Sequence, residues 1–323
     1  MSQDLCVVTC YYNPEGYRTK LHNYLVFEDA LRSSGLTLVT VECSMGQTDF
    51  ELPDRPELVR VRGRDVMWQK ERLLNVAIEN VPSRFTKIAW LDCDLLFTND
   101  NWAEETSQLL ERYPIVQPFD MVVRLPRGAI EDIGGGERWL GFAAAYARQP
   151  HALLAGDFLG HGHTGFAWAA RRDILAAHGL YDGCVAGSGD HMMAHAFAGD
   201  WHGRCIRRIF GDNTAHWRHF AAWSAAIYGN VRAAVSFVPG TLLHLWHGET
   251  QDRRYVHRNR DLAGFGFDPA ADVVIGSEGC WEWSSDKPKL HQWAANYFGL
   301  RKEDGSPVGE EETLGRRYDS RRG

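Results

Sequence analysis

The sequence contains no Cys-x-x-Cys pair, and its seven cysteines (6, 10, 43, 93, 184, 205 and 280) are odd in number and scattered. A disulfide framework and a zinc ribbon are therefore both disfavoured. No apolar run approaches the roughly 18 residues of a membrane helix. The apolar stretch after Asp4 is also too short for the core of a signal peptide. A reducing, cytoplasmic protein without an integral membrane segment is expected. An excess of positive charge is missing too: 35 Lys and Arg face 42 Asp and Glu, a formal net charge of -7, so nothing global draws the chain to nucleic acid or an anionic bilayer. Internal repeats and low-complexity tracts are absent, which excludes solenoids. What remains is 323 residues, 44% hydrophobic and 24% charged, an ordinary composition for one large domain or two fused lobes.

The first half alternates strand-like and helix-like periods. Leu5–Cys10 is a β-rich run stopping at the turn cluster Tyr11-Tyr12-Asn13-Pro14-Glu15-Gly16. Helical spacing from Leu21 to Leu31 closes at Gly35, and Leu36–Val41 reads as the second strand. Leu58–Val61 is a short third strand. The next helix sets Trp68, Arg72, Asn75 and Glu79 on one face and Leu73, Leu74, Ala77 and Ile78 on the other, and Pro82 ends it. Lys87–Leu91 is the fourth strand. Such alternation predicts right-handed crossovers and a mostly parallel sheet, an α/β fold. A helix from Trp102 to Tyr113 and a strand at Ile115–Pro118 follow. The chain then turns irregular and rich in Gly, His and Trp, where a second lobe is expected.

Asp92-Cys93-Asp94 stands at the carboxyl end of the fourth strand. Period-2 geometry puts both carboxylates on one side of an extended segment, close enough to share one hard divalent cation. Open α/β sheets bind nucleotides and phosphates at that edge. Mg²⁺ or Mn²⁺ held there neutralises a diphosphate leaving group.

The buried run Ile88–Leu91, the Asp-x-Asp and the preceding helix with Lys70, Arg72 and Asn75 together resemble the glycosyltransferases of the GT-A fold, among them the polypeptide N-acetylgalactosaminyltransferases and β-1,4-galactosyltransferases. The segment Gly165–Leu175, then Gly179-Leu180-Tyr181-Asp182 and Gly187-Ser188-Gly189-Asp190-His191, looks like the acceptor-side block of that family. The resemblance implies a Rossmann-like α/β/α sandwich in which Asp92 and Asp94 bind a metal that bridges the phosphates of a nucleotide-sugar. UDP donors are the commonest in such relatives. By position Asp190 matches the catalytic base of the inverting members, though the usual acidic pair is Gly-Asp here. A carboxylate at a helix start is stabilised as the anion by the helix dipole, and aspartate is also a common N-cap there. A late His completes the metal site in many relatives; His244 matches it, and His247, where the family's Arg would contact phosphate, is the alternative ligand. Neutral imidazole is a credible third ligand for Mn²⁺.

On this reading residues 1–125 form the nucleotide-sugar-binding half and 126–300 the acceptor-binding and catalytic half of one GT-A domain, with 301–323 a polar, frayed tail. Thr9, Tyr11 and Asn13 stand where the family contacts base and ribose. Lys70, Arg72 and His247 join the donor side. Gly165, Trp168 and His191 fall to the substrate, Trp168 as an indole on which a sugar face stacks. The basic run Arg253–Arg260 forms a candidate lid over the diphosphate, with Arg254 and Arg258 on one helical face. His161 and His163 have no convincing partner spacing and read as structural.

The expected activity is metal-dependent transfer of a sugar to a hydroxyl acceptor, with inversion if Asp190 is the base and retention if it only orients the acceptor. The acceptor is open: a glycan, a small molecule, or a modified base of DNA as in phage-type enzymes. A nucleotidyltransferase is the competing enzyme class, but the loop after the first strand lacks that class's glycines and early basic residue. A non-catalytic sugar-binding protein is the competitor outside enzymes.

Overall fold

A computed structural model describes residues 4–156 and 160–305. The first half runs β1 (Leu5–Tyr12), α1 (Arg18–Ser33), β2 (Leu38–Met45), β3 (Leu58–Gly63), α2 (Lys70–Glu79), β4 (Lys87–Leu91), β5 (Leu95–Phe97), α3 (Trp102–Leu110), β6 (Ile115–Gln117) and β7 (Met121–Arg124). The second half runs β8 (Glu137–Leu140), α4 (Phe142–Arg148), α5 (Pro150–Ala155), β9 (Ala167–Arg171), α6 (Arg172–His178), α7 (Gly189–Ala198), α8 (Arg204–Phe210), α9 (Thr214–Val231), β10 (Val235–Phe237), β11 (Thr241–His244), α10 (Tyr255–Gly264), α11 (Pro269–Asp272), β12 (Val273–Ile275), β13 (Trp281–Trp283) and α12 (Pro288–Leu300).

The main sheet has the order β3-β2-β1-β4-β9-β6-β10. Its pairs are parallel except for β9, which runs antiparallel to both β4 and β6. Strands of the second half are thus threaded into the sheet of the first. Alternate residues of β1 serve two cores: Cys6 and Val8 pack with α2, α4, α7 and α9, whereas Leu5 and Val7 pack with α1 and α3. Apolar side chains on both faces explain why β1 and β4 read as continuous hydrophobic runs instead of alternating ones. The result is a three-layer α/β/α sandwich. Among the described residues no helix is long and apolar enough to cross a membrane.

A second sheet, β5-β11-β7-β8, lies beyond the carboxyl edge of β4 and positions the site. β5 begins directly after Asp94 and pairs antiparallel with β11, Leu95 standing opposite His244. The N–H of Leu245 donates to the Asp94 carbonyl at 2.9 Å.

The C-terminal segment differs from the frayed tail expected from 301. Arg301 and Glu303 are buried, and they form a hydrogen-bonded ion pair at 2.5 Å. The rest of that tail, 306–323, lies outside the described residues.

Candidate active site

A cleft of about 490 Å³ opens where β1 and β4 end, within the size range of small-molecule sites. Two groups of titratable side chains line it. In the first, Asp94 meets His244 and His247: Asp94 Oδ2 lies 3.0 Å from His247 Nε2 and 3.8 Å from His244 Nε2, and the two Nε2 atoms are 3.0 Å apart. One ligand atom from each of the three residues falls within 4.8 Å of the others, a spacing that one cation can span. Asp94 Oδ1 is buried and has no hydrogen-bond partner. Burial drives His244 well below the usual imidazole range, so it offers a neutral lone pair. Burial pushes the Asp94 carboxyl up, but His247 and His244 outweigh it and hold the acid below its ordinary value. One carboxylate and two imidazoles suit a borderline divalent ion such as Mn²⁺, and the orphaned oxygen leaves that ion a place. Behind them, Glu303 Oε1 stands 3.5 Å from His247 Nδ1, a carboxylate that orients the ring.

In the second group Lys70, at the start of α2, joins two carboxylates. Its Nζ donates to Asp92 at 3.0 Å and to Asp190 at 2.6 Å. Burial alone would lower the Lys70 pKa, but Asp190 and Asp92 outweigh it and keep the ammonium charged. The two aspartates of the Asp-x-Asp therefore diverge. The Asp92 N–H donates to Phe166 O at 2.7 Å, which ties Asp92 to the approach of β9, whereas Asp94 is already committed to the β5–β11 pairing. Asp92 is paired with Lys70 and Asp94 with the histidines.

Asp190 sits in the first turn of α7. The N-cap is Ser188, in the left-handed region at φ +74°, and Asp190 reaches Lys70 rather than capping the helix. Gly187, at φ +80°, makes the bend possible. Gly189 is required for another reason: a Cβ there would lie 2.3 Å from Glu71 Oε1. Between the two groups the cleft is lined by cations, Arg124, Arg253, Arg258, Arg301 and Lys20 among them. Their field is legible on Tyr255. Desolvation raises its phenol, yet Arg253, Arg258, Arg124 and Arg301 outweigh it and pull the pKa down to about 8.

No protein-family model matches the chain, and no curated protein matches its sequence. Solved structures do resemble its fold. The catalytic domain of Drosophila β1,4-galactosyltransferase 7, in complex with xylobiose, is 11% identical over 90% of this chain and 98% of that one, with a TM-score of 0.38. A mutant of the same enzyme with manganese, UDP-Gal and xylobiose is 15% identical over 60% of this chain and 62% of that one, at a TM-score of 0.29. The 4-diphosphocytidyl-2C-methyl-D-erythritol synthase of Anaerococcus prevotii is 8% identical over 80% and 95%, at 0.34. Overlaps this loose leave the chemistry of the cleft to be argued from its own atoms.

Of the other residues singled out in the sequence, Asn13, Gly165 and His191 line the cleft. Five do not. Thr9 is fully buried and donates to Leu91 O at 2.7 Å, linking β1 to β4. Tyr11 is buried and donates to Glu51 at 2.6 Å. Arg72 points away from the cleft to Asp182, at 3.1 Å, because it lies two positions from Lys70 on α2. Trp168 belongs to the core: β9 is covered on both faces, and the indole packs against Phe142 and Phe197 and donates to Thr164 O. Trp68 and Trp139 are the indoles that line the cleft. Arg254 is exposed, because α10 starts at Tyr255 and Arg254 is its left-handed N-cap at φ +49°. Arg253 and Arg258 reach the cleft in its place. Arg253 Nη2 lies 2.8 Å from His247 Nε2, and Arg258 donates to Tyr297 at 2.6 Å and to Ser188 at 3.2 Å.

Sequence reasoning passed over His163, Phe166 and Glu303. His163 hydrogen-bonds Arg124 at 3.0 Å and stacks on Phe166 at 3.9 Å between ring centres. Phe166 adopts φ +79°, a left-handed conformation rare for an aromatic residue, and this strain is concentrated beside Asp92. A Gly-His-Gly-His run beside an aromatic was the one available signal. Glu303 stood in a polar segment that gave none.

Proposed function

We propose that this chain is a metal-dependent GT-A glycosyltransferase, moving a sugar from a nucleoside-diphosphate sugar, UDP before other nucleotides, to a hydroxyl acceptor. The observation that carries this reading is the convergence of Asp94, His244 and His247 on one point of a cation-lined cleft, opposite Asp190 at a helix start. Asp94, His244 and His247 would hold Mn²⁺ or Mg²⁺, which supplies positive charge for the departing diphosphate. The arginines of the cleft receive that diphosphate through charge-assisted hydrogen bonds and offset the charge that develops as the glycosidic C–O bond breaks. Asp190 takes the proton of the acceptor hydroxyl as its oxygen bonds to the anomeric carbon, which inverts that centre. Lys70 fixes the Asp190 carboxylate through Oδ2 and leaves Oδ1 to the acceptor.

The test is release of free nucleotide from a panel of nucleotide-sugars, with and without Mn²⁺, followed by assignment of the anomeric configuration once an acceptor is found. Metal-dependent hydrolysis of one donor that disappears in Asp94→Ala is expected. Asp190→Asn should bind that donor normally and transfer it about 10²–10⁴-fold more slowly, the usual worth of a general base. Silence across the panel, together with calorimetry showing no nucleotide binding, would refute the proposal. A retained configuration would reassign Asp190 to orienting the acceptor.

A further inference from the structure

We infer that the chain carries a second metal site, for zinc, built from His161, His191, His195 and Cys205. One ligand atom from each of the four lies within 4.8 Å of the rest. Ligands bound at about 2.0–2.3 Å around one zinc ion are separated by no more than that. His161, His195 and Cys205 are almost wholly buried, and His191 is the member that lines the cleft.

The contacts within the group suit a cation. His161 Nδ1 stands 3.1 Å from His195 Nε2 and 3.7 Å from Cys205 Sγ, so one nitrogen of that ring meets both. The rings of His191 and His195, four residues apart on one face of α7, have centres 4.5 Å apart. Behind His195, Asp200 Oδ2 is 2.8 Å from Nδ1. A carboxylate at Nδ1 fixes the proton there and turns the Nε2 lone pair toward the other three ligands, the outer-shell arrangement of metal-bound histidine. Three nitrogens and a sulfur are a poor set for Mg²⁺ and Ca²⁺, which take oxygen ligands, and match tetrahedral zinc. This set is distinct from Asp94, His244 and His247.

Zinc here joins three segments: the loop that leads into β9, α7 and α8. Because His191 follows Asp190 in the chain and His161 precedes His163 and Gly165 by two and four residues, the ion is a structural one that holds the acceptor side of the cleft in place. Cys205 was not legible as a ligand because its partners lie on segments that only the fold brings together.

Metal analysis of the full-length protein, purified with zinc supplied and then passed through a chelator, tests this. Wild type and Asp94→Ala are each expected to retain one zinc per chain, whereas Cys205→Ser and His195→Ala lose it. The Asp94→Ala arm separates this site from the one proposed for catalysis. Replacement of zinc by Co²⁺ gives a second readout that needs no variant to fold: a thiolate-to-cobalt charge-transfer band and tetrahedral visible bands in wild type. Zinc-free wild type after incubation with equimolar zinc would overturn the inference. So would cobalt protein without a thiolate band, or zinc that leaves with Asp94→Ala and stays with Cys205→Ser.

Discussion

At the scale of single residues, the cleft gathers cations in a protein whose formal net charge is -7. Burial raises the Tyr255 phenol, but Arg253, Arg258, Arg124 and Arg301 outweigh it and lower the pKa to about 8. Above that pH the phenolate adds a negative charge beside the arginines proposed to receive the diphosphate. Nucleoside-diphosphate affinity is therefore expected to fall a few-fold as pH rises through 8, and Tyr255→Phe should flatten that decline. Ultraviolet titration should show one tyrosinate appearing near pH 8 in wild type and none there in the variant. If the wild-type affinity is flat between pH 7 and 9, the arginine field does not act on the ligand site.

At the scale of elements, the legibility of the sequence tracked element length. β1 and β4 were recognisable as continuous apolar runs of five or more residues and α1 by its helical period, and the edge where β4 ends located Asp92 and Asp94 at once. The three- and four-residue strands of the second sheet carry too little period to read, yet their register decides the site. Leu95 opposite His244 is what brings Asp94 to both histidines and parts it from Asp92. The same limit moved Arg254 out of the cleft, because a helical face can be assigned only once the start of the helix is known, and α10 starts one residue later. Trp168 failed as a sugar platform because β9 is an inner antiparallel strand with both faces covered. The entry to α7 gives a prediction at this scale. Gly189→Ala places a methyl group 2.3 Å from Glu71 Oε1, beside the carboxylate that Lys70 holds. A loss of about 1–3 kcal/mol in stability is expected from such overpacking. Denaturant unfolding measures it, and an unchanged midpoint would show that α7 yields without cost.

At the scale of the whole molecule, the site is a seam between distant parts of one chain: β4 and α2 of the first half, α7 and β11 of the second, and the segment after α12. That last segment matters more than its composition suggests. Arg301 and Lys20 hold the Glu303 carboxyl well below its usual range despite burial that raises it, and Glu303 stands behind His247. Glu303→Gln should lower stability, because it leaves the buried Arg301 guanidinium without its carboxylate, and in the folded protein should bind Mn²⁺ about 10–100-fold more weakly, the cost of losing an outer-shell carboxylate. Calorimetric or paramagnetic titration with Mn²⁺ reads this, and an unchanged affinity would remove Glu303 from the metal group. The packing of residues 301–305 against the cleft also orders events in time. A chain growing on the ribosome completes both sheets and exposes Asp94, His244, His247 and Asp190 before the carboxylate that steadies His247 has been made. The carboxylate behind His247 is thus added only after both sheets have been made, and a message cut short after the codon for Leu300 would yield a chain that has Asp94, His244 and His247 but lacks Glu303.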